Sequence, residues 1–265
     1  LRITVKLGGS ILEDGNIRMR LLEQIAGMSA QSNEIILVHG GGKSLNRRLA
    51  QMQMESHFIE GLRVTDAQTL GVAVMVLAGE VNKTIVAELS KLKIEALGIC
   101  GADAGAVRCT RLSGSPGYPA GIGFVGEPAA VNRPFFDLIL HSGRIPVVAS
   151  IGLGENAQLY NVNADQMAAA CASGTHCDCL IYLTDVPGVK DENGSVIPSL
   201  GEEQIVKLRA GGILSGGMLP KTSSCLEALK AGVHEVYILP GASPDILKKF
   251  SERTLAEGTS IHESN

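Results

Sequence analysis

The chain has 265 residues, 45% of them hydrophobic but only 3% aromatic, with no tryptophan and a net charge of −4. That length supports one large α/β domain or two modest lobes, and so few rings leave Val, Ile, Leu and Ala to build the core, as in parallel sheets covered by helices. The mixed, slightly acidic charge excludes a broad nucleic-acid surface.

No signal peptide is evident, and no apolar run is expected to cross a bilayer. The six cysteines, at 100, 109, 171, 177, 179 and 225, contain no CxxC pair and read as the reduced thiols of a cytoplasmic protein. His176-Cys177-Asp178-Cys179 looks like half a metal site, but no second half with matching spacing exists, so no metal site is expected. The sequence opens on Leu1 rather than Met, which leaves room for a short leader ahead of it.

Arg2 to Leu7 reads as a buried strand running into Gly8-Gly9-Ser10. A helix follows, with Leu21, Leu22, Ile25 and Met28 on one side. The strand Glu34 to Val38 then enters His39-Gly40-Gly41-Gly42-Lys43-Ser44, with the next helix expected from Leu45. Glycine clusters that open helices leave N–H groups for phosphate or carboxylate oxygens, although either cluster alone serves equally well as a tight turn. Gly42-Lys43-Ser44 is no P-loop, because Leu37 stands where that motif needs glycine, and neither cluster gives GxGxxG.

His57 to Thr65 reads as an extended or hairpin segment in which Arg63 is the only strong cation. A guanidinium beside a glycine turn suits a carboxylate; the plainer reading is a solvated arginine. Asp66 is expected to cap a helix running to about Leu92, rich in small apolar residues, as a buried spine or a subunit interface. Ile94 to Cys100 is a further strand, and Val107 to Val125 suggests β-hairpins outside the main sheet. A helix near Pro134 to Ser142 leads to the strand Ile145 to Ala149.

Tyr160-Asn161-Val162-Asn163-Ala164-Asp165 follows. A strand here alternates Asn161 and Asn163 onto one face, and Asp165 falls where a helix through Met167 and Ala172 begins. Such a corner places polar side chains in a cleft at the carboxyl edge of the sheet; the bland alternative is that Asn163 or Asp165 merely caps the helix. The strand Cys179 to Leu183 runs into Thr184 to Val189, and Asp191-Glu192-Asn193-Gly194 makes a hairpin turn. Gly216 to Lys221 opens a helix to about Ala231. Lys221 falls in its first turn, where a cation opposes the helix dipole and wants another reason. The strand Glu235 to Leu239, a short helix near Asp245 and Gly258 to Ile261 close the chain.

Strands that end in glycine-rich loops should gather those loops at one edge of a parallel sheet. Together the loops supply Lys6, Lys221, Arg63, Asn161, Asn163, Asp165 and backbone N–H groups, without a Ser–His–Asp set, a reactive cysteine constellation or paired acid carboxylates. A cleft of cations and N–H donors with no nucleophile suits phosphoryl transfer between bound substrates, which needs positioning and charge neutralisation.

Lys6-Leu7-Gly8-Gly9, His39 to Gly42, Gly61-Leu62-Arg63-Val64-Thr65, Tyr160 to Asp165 and Gly217 to Lys221 together resemble the amino-acid kinase family, in order and over nearly the whole chain. Within it the resemblance is to members that phosphorylate the γ-carboxylate of N-acetyl-L-glutamate in arginine biosynthesis. It implies a single α/β domain: an αβα sandwich with an open, mainly parallel sheet of the carbamate kinase-like kind. It implies an N-terminal lobe (1–175) for the acyl amino acid and dimerisation, and a C-terminal lobe (176–265) for ATP. Lys6 and Lys221 would stabilise the transferring phosphoryl group, with Asp165 holding both lysines. Gly41, Gly42, Arg63, Asn161 and Asn163 would bind the acyl amino acid. Gly8, Gly9, the loop Asp185-Val186-Pro187-Gly188-Val189-Lys190 and Ile213-Leu214-Ser215 would bind the nucleotide, with Mg²⁺ carried on the ATP phosphates.

Arginine-inhibited members carry a helix ahead of the first strand. Here the strand starts at once, so a homodimer through the Asp66 to Leu92 helix is expected rather than an arginine-inhibited hexamer, and nothing in the sequence supports a PII-type regulator. Sibling kinases acting on N-succinylglutamate or a carrier-linked aminoadipate stay open, as does a non-catalytic amino-acid and nucleotide sensor. Isopentenyl phosphate kinases share the opening Lys-Leu-Gly-Gly-Ser but not the Arg63 and Asn161 motifs.

Overall fold

The computed structural model describes residues 1–59, 61–112, 122–214 and 216–262. Strands β1 (Arg2–Leu7) and β2 (Glu34–His39) bracket helices α1 (Gly9–Glu13) and α2 (Gly15–Ala30), and α3 (Gly42–Gln51) follows. A hairpin, β3 (Phe58–Ile59) and β4 (Leu62–Arg63), leads into α4 (Ala67–Ala73), a π-helical stretch Val74–Val81 and α5 (Asn82–Lys91). Next come β5 (Ala96–Ile99), β6 (Val107–Arg111), β7 (Val125–Val131), α6 (Arg133–His141), β8 (Ile145–Ala149), β9 (Ile151–Leu153), β10 (Leu159–Val162) and α7 (Ala164–Gly174). The last third holds β11 (Cys179–Thr184), β12 (Ser199–Gly201), α8 (Glu202–Ala210), α9 (Met218–Lys230), β13 (Glu235–Pro240), α10 (Ile246–Ser251) and β14 (Thr259–His262).

Eight strands form one sheet in the order β12-β14-β13-β11-β1-β2-β8-β5, parallel at every neighbouring pair except β13 with β14. Strand side chains alternate between faces, so the unbroken apolar runs feed two cores. Ile3, Val5, Leu7, Leu37 and Ile181 pack with α2, α3, the Ala67–Lys91 run and α10 on one side. Ile36, Val38, Leu180 and Tyr182 pack with α6, α7 and α9 on the other. This is the expected αβα sandwich.

Three expectations need correction. The Ala67–Lys91 run is, by length and composition, long and apolar enough to cross a bilayer; its apolarity here serves packing, with Val72, Val76, Leu77 and Ile85 buried in the first core. Helix α3 begins at Gly42, three residues before Leu45. Gly41 allows this: its φ of 154° is unfavourable for other residues, and a Cβ there would lie 2.8 Å from Leu77 Cδ2. Lastly, β10 belongs not to the main sheet but to a small closed barrel, β10-β7-β6-β9. The cleft therefore lies between the carboxyl edge of the sheet and that barrel.

Candidate active site

Alternation along β1 sends Ile3, Val5 and Leu7 into one core and turns Lys6 to the opposite face, toward α7. Lys6 Nζ lies 2.7 Å from Asp165 Oδ1. Lys221 Nζ donates to Asp165 Oδ1 and Oδ2 at 3.0 and 2.9 Å. All three side chains are buried, at 7%, 8% and 6% exposed for Lys6, Asp165 and Lys221. Asp165 is the reason for a lysine in the first turn of α9. The Tyr182 ring lies 5.1 Å from Lys221 Nζ, and its hydroxyl donates to the Asp165 carbonyl at 3.2 Å.

Burial alone raises the Asp165 carboxyl, yet Lys6 and Lys221 hold it down at about 2. Burial pushes the Lys6 ammonium down; Asp165 opposes that shift and Lys221 adds to it. Two ammoniums thus share one carboxylate in a site nearly closed to water. An uncompensated buried charge is costly, so the group is poised to receive another anion.

Asn163 fixes this geometry from behind. Its Oδ1 accepts from the backbone N–H of Asp165 (2.8 Å) and Gln166 (3.3 Å), capping α7. The bland capping role thus falls to Asn163, while Asp165 binds lysines. The Asn163 amide nitrogen has no hydrogen-bond partner among the described residues, and Asn163 lines the adjoining cleft.

That cleft, of about 210 Å³, brings together Lys6, Gly9, Gly41, Gly42, Arg63, Asn161, Asn163 and Asp165. Arg63 is 7% exposed. It donates to Ser56 Oγ (2.7 Å), Asn46 Oδ1 and the Gly42 carbonyl (3.5 Å), and its guanidinium lies 4.6 Å from the Phe58 ring centroid. No carboxylate pairs with it among the described residues, and burial lowers its pKa. A buried guanidinium held only by neutral groups, on the wall of a cleft, suits a ligand carboxylate. Asn161 donates through Nδ2 to Thr65 Oγ1 at 3.2 Å, which leaves its carbonyl oxygen able to accept from an acylamino N–H.

The nucleotide side is more dispersed. The Gly8 N–H is occupied by the Leu183 carbonyl at 2.9 Å, and a Cβ on Gly8 would lie 2.6 Å from that oxygen. Gly8 thus lets β1 turn tightly into α1, and Gly9 is the glycine of the pair that lines the cleft. Asp185 is exposed and accepts from Ser10 Oγ, which holds its carboxyl below the ordinary value. Val189 and Leu214 are core side chains, and the Val189 N–H donates to Thr259 Oγ1 at 2.9 Å. Gly188 is buried, whereas Pro187 and Lys190 are exposed and Val186 and Ile213 half-buried. None of these lines the 210 Å³ cleft, and Ser215 lies outside the described residues.

Asn46, Ser56 and Phe58, which orient Arg63, and Tyr182 beneath Lys221 were not singled out from the sequence. Phe58 alone had a readable signal. In a hairpin turning at Gly61 it pairs across from Arg63. The His176 to Cys179 run is resolved otherwise: Cys177 is buried, with Sγ 3.0 Å from Thr4 Oγ1.

Residues 2–240 match the model of the amino acid kinase family. The chain belongs to the amino acid kinase family. A relative named acetylglutamate kinase, from Koribacter versatilis, is 41% identical over 263 residues, spanning 98% of each chain. The crystal structure of smu.665 from Streptococcus mutans UA159 superimposes on this amino acid kinase with a TM-score of 0.82 at 26% identity, covering 98% of each chain. N-acetylglutamate synthase from Neisseria gonorrhoeae, complexed with coenzyme A and N-acetyl-glutamate, superimposes with a TM-score of 0.86 at 24% identity. All of this chain matches 60% of that one, a likeness that speaks for the fold.

Proposed function

We propose that this amino acid kinase transfers the γ-phosphoryl group of ATP to the γ-carboxylate of N-acetyl-L-glutamate, the second step of arginine biosynthesis. The observation that carries the reading is Arg63, buried with neutral partners in the same cleft as the Lys6–Asp165 pair. One end of that cleft suits a fixed carboxylate and the other a transferring phosphoryl group. The identity to relatives named acetylglutamate kinase supports the choice of acceptor.

In this reading Arg63 grips the α-carboxylate and Asn161 the acylamino group, with the Asn163 amide close by. The γ-carboxylate is already ionised near neutral pH, since an ordinary glutamate carboxyl titrates at about 4.3, so no general base is needed. Two anions must then approach each other. Lys6 and Lys221 offset that repulsion, and the N–H groups of Gly9, Gly41 and Gly42 donate to phosphate and carboxylate oxygens. Asp165 keeps both ammoniums aimed. Among the described residues no three His, Cys, Asp or Glu side chains form a metal-holding group. Mg²⁺ fits this site only as a partner of the ATP phosphates, where it would neutralise phosphate charge. Residues 1–175 would serve as the lobe for the acyl amino acid and 176–265 as the lobe for ATP. A biosynthetic kinase with six free thiols suits the reducing cytoplasm.

The test is ADP release with Mg²⁺-ATP and a panel of N-acetylglutamate, N-succinylglutamate, N-acetylaminoadipate and glutamate, with hydroxylamine to trap an acyl phosphate. Turnover on N-acetylglutamate above the others is expected. Preference for another acylated acid would move the enzyme to another pathway, and silence on all four would favour a sensor. Arg63→Ala should raise KM for the acyl amino acid at least 10-fold, the loss of about 1.5–3 kcal/mol for a charged hydrogen-bonded contact, with KM for ATP nearly unchanged. An unaltered acceptor KM would remove Arg63 from the site.

A homodimer is part of the same proposal. Met75, on the Ala67–Lys91 run, is 58% exposed, and Leu97, on the edge strand β5, is 41% exposed. Light scattering should give twice the chain mass of 27.7 kDa, and Met75→Asp should lower it; a monomer or hexamer would count against this interface.

A further inference from the structure

Helix α1 has five residues, too few to hold a place by its own hydrogen bonds. One end carries Gly9 at the cleft; the other carries Glu13, which faces away from it. Glu13 Oε1 accepts from Ser44 Oγ at 2.6 Å, and Glu13 Oε2 accepts from Arg47 at 2.7 Å. Arg47 also donates to Ser44 Oγ at 3.2 Å. Ser44 is buried and lies in the first turn of α3 with Gly42. Burial works against the Glu13 charge, but Ser44 and Arg47 hold its carboxyl below the ordinary value. An ionised carboxylate beside that turn also complements the α3 dipole.

We propose that Glu13 is a positioning residue: through Ser44 and Arg47 it locks α1 to the first turn of α3, and so sets the separation of Gly9 from Gly41 and Gly42. The inference rests on the phosphotransfer reading above, in which those glycines receive the two reacting partners. Neither Glu13 nor Ser44 lines the cleft, so the clamp acts only through alignment. The rest of α1 is tied elsewhere: Gly8 to Leu183, Ser10 to Asp185, and the Leu12 carbonyl to Arg18, itself paired with Glu88. Loss of the clamp should therefore loosen one spacing rather than unfold the helix.

Misaligned reactants lose transition-state stabilisation while still binding. Glu13→Ala is thus expected to lower kcat per folded molecule roughly 10- to 100-fold, with both Michaelis constants changed less than about three-fold. Ser44→Ala should do the same, and the double variant should lose little more than either alone. Glu13→Gln, whose amide oxygen still accepts from Ser44, should recover most of the loss. A Glu13→Ala enzyme that melts earlier yet keeps the parental kcat per folded molecule would overturn the clamp, as would equal losses in Glu13→Ala and Glu13→Gln. A silent parental enzyme is a different failure, that of the phosphotransfer reading itself.

Discussion

Replacing Lys6 or Lys221 with alanine is expected to cut kcat roughly 10²- to 10³-fold, the scale for removing a preorganised group that meets developing charge, with smaller effects on either KM. The structure also indicates why the variants should fold. The buried trio carries two cations on one anion, so deleting either lysine leaves a balanced ion pair. The loss should therefore appear in turnover, measured as ADP release, and only weakly in melting temperature. Lys6 adds a pH signature. Burial, aided by Lys221, pushes its ammonium below the usual lysine value of 10.5, so in the free enzyme it loses its charge, and kcat/KM for ATP should fall, at a lower pH than for an exposed lysine. An alkaline limb of kcat/KM at or above 10.5 would count against the Lys6 ammonium, and normal turnover in both variants would remove the lysines from the mechanism.

The centre of the main sheet was legible because β2, β8, β11 and β13 are near-continuous apolar runs, and such runs belong to sheets covered on both faces. Leu21, Leu22, Ile25 and Met28 were readable as one helix face from their three- and four-residue spacing, and they are the buried residues of α2. Other elements were hidden. Strand β12 is three residues long, and α8 buries only Ile205, so neither carries a period. The antiparallel pairing of β14 with β13 depends on long-range packing that leaves no local mark. So does the assignment of β10 to the small barrel.

At the site, the chemistry of single residues was readable but their arrangement was not. Lys221 drew notice because it sits against the dipole of its helix, and Asp165 because it opens one. Nothing local says that the two meet across 56 positions of sequence. Asn163 shows the converse. Its capping role was readable from the corner alone, whereas its free amide nitrogen at the cleft needed the fold. Ser44 was weighed only as the end of a failed P-loop pattern, and Glu13 carries no local signal; their meeting needed the fold that places α1 against α3.

Asp165→Asn is expected to cost more than either lysine change, because it leaves two buried ammoniums facing each other without an anion. Breaking a buried pair in this way typically costs about 3–5 kcal/mol, and the lysines lose their aim, so kcat should fall at least as far as in Lys6→Ala. The pH dependence separates charge from shape. The Asp165 carboxyl is depressed from 3.8 to about 2 in the folded protein. Its contribution is therefore present above the unfolded value and lost as pH falls through the folded one. Urea titrations should show the gap between the parental protein and Asp165→Asn fully open at neutral pH and closing from about pH 4 down to about pH 2. On the alkaline side the sign reverses. Without Asp165, the main influence holding Lys6 up, its folded-state pKa drops further, so the unfolded chain binds the extra proton and the variant gains stability as pH rises through that value. A variant as stable and as active as its parent at neutral pH, or a gap independent of pH, would mean that the two lysines do not depend on Asp165.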